Sequence, residues 1–280
     1  MNSIKSLALA GMVATALFSA PTFATVCPTS PVAAAGKTHG SSVCIAPYGL
    51  DGSNTGLATV LGPGGTAHSI FSSGPGVDPY TNQVQKSYWS VGGSSGSVST
   101  ILLQIAGYAG KDVFGIFDPH DTSNKLALIS NGSNGKQAVL SVHTNAGYAV
   151  NFGTKSFFST TNEFGFYLTT PSGTYYSMPS LNEAGGSTYP GGTPHMVAYQ
   201  GNGSKIKAMN GLAGGIWGSN EYILAWEDLP FAHSDLDYND FVVMVESVHP
   251  IPEPQVLGMF GLGALMIGLF AGLRRRIGNA

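Results

Sequence analysis

The first 273 of the 280 residues contain no arginine; the only three stand together at Arg274, Arg275 and Arg276. Basic charge is scarce elsewhere too. Residues 25–251 hold eight lysines and 14 acids, a net charge of −6. A nucleic-acid-binding face needs clustered Lys and Arg, so nucleic acid is excluded as a partner. Cysteine is limited to Cys27 and Cys44. No C-x-x-C pair and no paired histidines stand beside them, which argues against a zinc site built on these thiols. Long amphipathic helical patterns are missing, as are the H-E-x-x-H, P-loop and dinucleotide fingerprints. Gly92-Gly93-Ser94-Ser95-Gly96 spells G-x-S-x-G. It stands in Gly/Ser-rich sequence with no helix to follow, so it does not read as a nucleophile elbow.

Long apolar runs occur only near the two ends. Lys5, the run Leu7 to Phe18, and small residues at Thr22 and Ala24 have the layout of a secretory signal peptide over residues 1–24. Cleavage is expected after Ala24. Export would place Cys27 and Cys44 in an oxidising compartment, where they are expected to form one disulfide. Such a bridge stabilises by about 3 kcal/mol in the chain-entropy picture. At the other end, Val256 to Leu273 is an 18-residue stretch without charge. At about 1.5 Å per residue it reaches roughly 27 Å, close to the hydrocarbon thickness of a bilayer. It is expected to be a transmembrane helix over 256–273, seated in the inner membrane. Arg274, Arg275 and Arg276 hold its end on the cytoplasmic side, which leaves the body of the chain outside the cytoplasm. Gly268 and Gly272 form a G-x-x-x-G pair, a weak signal in so glycine-rich a tail.

Pro252-Glu253-Pro254 stands just before this helix. Two prolines stop a helix from continuing out of the membrane and leave an extended segment. The triplet, the apolar helix and the terminal arginines, covering about the last 30 residues, resemble the PEP-CTERM sorting signal. The resemblance implies processing by exosortase, a membrane enzyme of Gram-negative bacteria that often make exopolysaccharide. A permanent single-pass anchor is the alternative reading.

Between the ends, short apolar runs alternate with turn residues, and the chain has 39 glycines. This predicts an all-β fold: a β-sandwich, jelly-roll-like, flanked by the signal peptide and the C-terminal helix. Residues 25–97 read as a Gly/Ser-rich, partly ordered N-terminal region with edge strands at 43–46 and 56–61. Residues 98–248 read as the β-sandwich domain, and 249–280 as the sorting signal. Strands are expected at 97–106, 112–117, 125–130, 137–143, 163–169, 174–178, 195–200, 222–226 and 241–248. The turn-rich link 131–135 predicts a hairpin between 125–130 and 137–143.

The densest chemistry lies between the last two of these strands. Glu227, Asp228, Asp235, Asp237 and Asp240 are five acids in 14 positions, and no Lys or Arg occurs between Lys207 and Arg274. Crowded carboxylates repel and raise one another's pKa, and a divalent cation removes that cost. Asp235-x-Asp237-x-Asn239 has the alternating oxygen ligands of a calcium loop, and Glu227, Asp228 and Asp240 could complete six to eight ligands. It is not an EF-hand, because Asp240 stands where that loop needs Gly. Calcium is favoured over zinc, since no Cys and only His233 is near. The alternative is a solvated turn whose Asp and Asn side chains bond their own backbone. In a mixed case Asp237 or Asp240 caps backbone while the others bind the ion.

The run W-E-D-L-P followed by S-D-x-D-Y-N-D-F-V-V resembles the C-terminal signature of the DUF4114 family, domains of secreted and surface bacterial proteins. The resemblance covers about residues 100–247 and is strongest in the last 25. It implies a β-rich fold and an external location, and no settled activity. Phe231-Ala232-His233 departs from its usual Gly-rich link.

Together these readings predict a non-enzymatic protein of the cell envelope or extracellular matrix. Its expected role is structural or adhesive in an exopolysaccharide layer. A calcium-dependent carbohydrate-binding module is the alternative, with Trp217, Tyr222 and Trp226 as stacking platforms. A glycoside hydrolase using Glu227 with Asp235 or Asp240 ranks below it. Mass spectrometry of the mature protein is expected to find Thr25 at one end and a C-terminus near Pro252. An intact tail would mean a permanent anchor instead.

Overall fold

The computed structural model describes residue 27 and residues 43–47, 55–84, 87–91, 97–104, 108, 110–131, 134–143, 147–150, 156–158, 162–208 and 213–251. The expected signal peptide with Ala24, the Gly92–Gly96 run, Pro252-Glu253-Pro254, the 256–273 helix and Arg274 to Arg276 lie outside the described residues. Among the described residues, no helix is long and apolar enough to cross a membrane.

In chain order the elements are α1 (Leu57–Val60), β1 (Phe71–Ser73), β2 (Tyr88–Val91), β3 (Ser97–Gln104), β4 (Val113–Asp118), β5 (Asp121–Ser130), β6 (Gln137–His143), β7 (Gly147–Val150) and β8 (Ser156–Phe158). There follow β9 (Gly165–Thr170), β10 (Gly173–Tyr176), a 3-10 turn (Pro179–Leu181), β11 (Met196–Gln200), β12 (Lys205–Ile206), β13 (Gly215–Ile216), β14 (Glu221–Trp226), β15 (Phe241–Glu246) and β16 (Val248–Ile251). The chain is all-β, and its strand pairs are antiparallel. A seven-stranded sheet has the order β11-β14-β15-β3-β6-β7-β8, and a four-stranded sheet the order β10-β9-β4-β5. Smaller sheets join β1-β12-β13 and β16-β2.

Side-chain alternation explains the layering. Along β14, Tyr222, Leu224 and Trp226 enter one core, whereas Ile223 and Ala225 enter a second on the opposite face. Along β15, Phe241, Val243 and Val245 take the first core and Val242 and Met244 the second. The centre of the large sheet is therefore buried on both sides, which is why these strands read as continuous apolar runs. The first core is closed by the four-stranded sheet. Phe164, Phe166 and Leu168 lie on one face, as their spacing predicts, and pack with Phe114 and Ile116 of β4. Phe114 stacks on Phe166 at 5.4 Å and on Phe241 at 5.6 Å, so one ring ties the two sheets together.

The second core is closed by residues from the N-terminal region. Val43, Ile45, Leu57, Val60, Leu61, Ile70 and Phe71 pack against the rear of the large sheet. Cys44 is disulfide-bonded to Cys27 with a Cα–Cα distance of 5.4 Å, and its N–H donates to the Tyr189 hydroxyl at 2.8 Å. This stretch of the 25–97 region shares one core with the C-terminal strands.

Four local expectations need correction. Residues 43–46 form no edge strand, and Ile45 makes only an isolated bridge. Residues 56–61 do not form an edge strand. Leu57, Val60 and Leu61 recur at helical spacing, and α1 buries that side. Residues 125–130 and 137–143 are strands but not a hairpin. β5 pairs with β4, while β6 pairs with β3 and β7, so the link crosses from one sheet to the other. The strand expected over 241–248 breaks at Ser247, whose φ of 56° turns the chain away; β16 then pairs with β2. Residues 171–172 reverse the chain and join β9 to β10.

Close strand contact depends on Gly115 in β4. A Cβ there would meet the Leu126 carbonyl oxygen and the Tyr167 ring. Backbone cannot yield as a side-chain tip can, so Gly115→Ala is expected to destabilise by about 1–3 kcal/mol. A thermal melt checks this; an unchanged midpoint would contradict the packing described.

Candidate metal centre

The acidic segment fills the connection between two paired strands. Trp226 and Phe241 face each other at the end of β14 and β15, and residues 227–240 loop between them. Met196 of β11 faces Trp226 on the other side, and the Glu227 N–H donates to the His195 carbonyl at 3.0 Å. The opposite sheet contributes its β9–β10 turn. Thr170 and Ser172 hydroxyls donate to the Asp228 carbonyl at 3.1 and 2.6 Å. The site thus sits at one end of both large sheets, pinned by each.

Within the loop, Leu236 and Tyr238 have φ of 61° and 55°. Left-handed backbone costs a residue with a Cβ about 1–2 kcal/mol. Both side chains are buried in the second core, which offsets that strain. Ala46 N–H donates to the Leu236 carbonyl at 2.7 Å, and the Tyr238 hydroxyl donates to the Pro194 carbonyl at 2.5 Å. With alternate residues anchored in the core, Asp235, Asp237 and Asn239 are gathered between them.

All six candidate ligands are buried: Glu227, Asp228, Asp235, Asp237, Asn239 and Asp240 are each less than 10% exposed. The solvated-turn reading is therefore corrected. Local backbone bonds exist nevertheless, as in the mixed case. Asp237 Oδ1 accepts the Asn239 N–H at 3.1 Å and Asp240 Oδ2 accepts the Asp228 N–H at 3.0 Å. Asn239 Nδ2 donates to Asp237 Oδ2 at 2.6 Å and to the Thr55 carbonyl at 2.7 Å.

The five acids fall into two groups that could hold a metal ion. Glu227, Asp228 and Asp240 form one; Glu227, Asp235 and Asp237 form the other. In each, one oxygen per residue lies within 4.8 Å of the others. Oxygens around one calcium at about 2.4 Å are at most about 4.8 Å apart, so the spacing fits a common ion. Neither Glu227 oxygen receives a hydrogen-bond donor, nor do Asp228 Oδ2 and Asn239 Oδ1. Glu227 and Asp240 are near enough to share a proton when no ion is bound. Unpaired buried carboxylate oxygens are costly, so such a group needs a partner.

The charge state follows. Burial, and then Asp240, Asp235, Asp237 and Asp228, push the Glu227 carboxyl well above its usual range. Burial and the Asp228 charge raise Asp240 against the pull of the Asp228 N–H. Asp228 is pushed up to about 7 by burial and then by Asp112, Asp235 and Asp237. Asp112 is a contributor that sequence reading missed. It directly precedes β4, buried, and only the strand pairing of Val113 with Thr169 brings it beside the site.

His195 was missed as well. Its ring stacks on Tyr175 at 4.0 Å, with Nδ1 at 3.2 Å from the Glu227 carbonyl and Nε2 at 2.9 Å from Glu183 Oε1. Both nitrogens face acceptors. Burial raises the Glu183 carboxyl. The His195 bond, the Phe231 N–H and the His195 charge outweigh it and hold the group at about 2. The side-chain partner of His195 is Glu183 and not the Glu227 carboxylate. His233 is exposed. The alternative of sugar stacking by Trp217, Tyr222 and Trp226 is corrected, since all three are buried in the two cores; Trp226 is core, as its alternation with Leu224 predicts. Carboxylates this enclosed offer a better seat to an ion than to a sugar ring.

A carboxyl whose pKa rises on folding contributes stability below its unfolded pKa and loses it as pH climbs through the folded value. Asp228 sets that window between 3.8 and about 7. The metal-free protein is therefore expected to melt higher at about pH 5 than at about pH 8. This range lies above that in which Glu183 protonates. Thermal melts after chelation and dialysis check the sign; a higher midpoint at the alkaline end would contradict it. No family model, curated protein or solved structure matches the chain.

Proposed function

We propose that this is an exported protein of the cell envelope or extracellular matrix whose β domain is completed by calcium. Its role is structural or adhesive in an exopolysaccharide layer, and exosortase processes its tail. The observation that carries the calcium reading is Glu227, 1% exposed, with two oxygens that accept no hydrogen bond among four further carboxylates. Oxygen-only ligands of mixed carboxylate and amide type suit a hard cation, and calcium tolerates the irregular, crowded geometry that magnesium does not. The architecture reads as a jelly-roll-like sandwich, with the ion clamping the β14–β15 connection to both sheets. The disulfide between Cys27 and Cys44 fits an oxidising compartment. The PEP-CTERM-like tail supports the route to it.

Calcium at about 100 times its dissociation constant should add about 2.7 kcal/mol. In a domain of this size that raises the melting midpoint by about 5–10 °C. Glu227→Gln is the variant of choice, because it keeps the shape of the buried side chain and removes its charge. It should abolish the calcium response. If calcium leaves the wild-type midpoint unchanged, or Glu227→Gln responds like wild type, the calcium reading is wrong.

A further inference from the structure

The five carboxylates do not converge on one point. They fall into two triads that share Glu227 and nothing else: Asp228 and Asp240 on one side, Asp235 and Asp237 on the other. Each side has its own buried oxygen without a donor. Asp228 Oδ2 belongs to the first, and Asn239 Oδ1, next to Asp237, belongs to the second. Glu227, the residue common to both triads, has both oxygens without a donor. We propose that the centre takes two divalent cations, one in each triad, bridged by the Glu227 carboxylate.

Charge supports the count. Five ionised carboxylates carry −5; one divalent cation leaves −3 and two leave −1. Asp112 adds negative charge on the Asp228 side. A single ion in either triad would leave two of the other side's carboxylates buried and repelling one another, so the first ion does not relieve the second triad. Two cations bridged by a carboxylate is a recurring arrangement, with metals about 3.5–4 Å apart. The bridge also gives the loop its mechanical sense. One ion ties Glu227 to Asp240 across the ends of β14 and β15, and the other ties it to the Asp235–Asp237 turn.

This inference rests on the reading of the centre as a cation site, and stoichiometry separates the two. The full-length protein, purified in detergent, is stripped with chelator, dialysed against calcium and assayed by elemental analysis. Two calcium ions per chain are expected, falling to one in Asp228→Asn and to one in Asp235→Asn. One ion in the wild-type protein overturns the bridged pair and leaves the single-ion reading standing. No ion overturns both. Should Asp235→Asn fail to fold, manganese substitution serves. A spin-coupled resonance in the wild type that becomes an isolated six-line signal in Asp228→Asn supports the pair; an isolated signal in both overturns it.

Discussion

Burying a carboxylate is among the most expensive things a fold can do, and this chain buries a cluster of them at one end of its two main sheets. His195 pairs with Glu183 and His120 with Glu163, and none of these four residues is in the cluster. The cost falls hardest on Glu227, which has no donor on either oxygen. The hydrogen bonds at the site do not answer it. They satisfy backbone N–H groups at Asp228 and Asn239 and leave both Glu227 oxygens and Asp228 Oδ2 without a donor. A divalent cation is the partner that the residue types permit, and its charge would turn repulsion among the acids into cross-linking.

The scaffold makes such an arrangement persist. Leu236 and Tyr238 are committed to the second core, Trp226 and Phe241 to the first, and Asp228 is held through its carbonyl by the β9–β10 turn. The acids are thus driven together by apolar burial of their neighbours, not by attraction among themselves. Strain at the two left-handed residues and repulsion among the carboxylates are stored against that burial, and a bound cation would release part of it. The N-terminal segment participates directly, since Thr55 accepts from Asn239 and Ala46 donates to Leu236.

Much of this was legible in the chain. Alternation of Phe164, Phe166 and Leu168 gave the correct inward face, and the crowding of acids without nearby Lys or Arg located the site. What could not be read depended on pairing across the sheets. Asp112 is one ordinary acid in a strand-leading turn until β4 pairs with β9. His195 and Glu183 are unremarkable until β11 lies beside β14. The false hairpin at 131–135 arose because a Gly/Asn-rich link serves a crossing between sheets as readily as a tight reversal. The short helix at 57–60 was lost in a run too brief for periodicity to separate helix from strand. Trp226 reads as core from its alternation with Leu224, whereas nothing in the sequence around Trp217 announces its burial.

The central claim is that metal, not hydrogen bonding, satisfies the buried carboxylate of Glu227. A crystal grown in calcium and measured for anomalous scattering addresses it most directly. The account predicts an anomalous peak within about 2.3–2.6 Å of a Glu227 carboxylate oxygen, ringed by oxygen ligands. Density showing only waters, or carboxyl groups paired through shared protons with no anomalous signal, would contradict it.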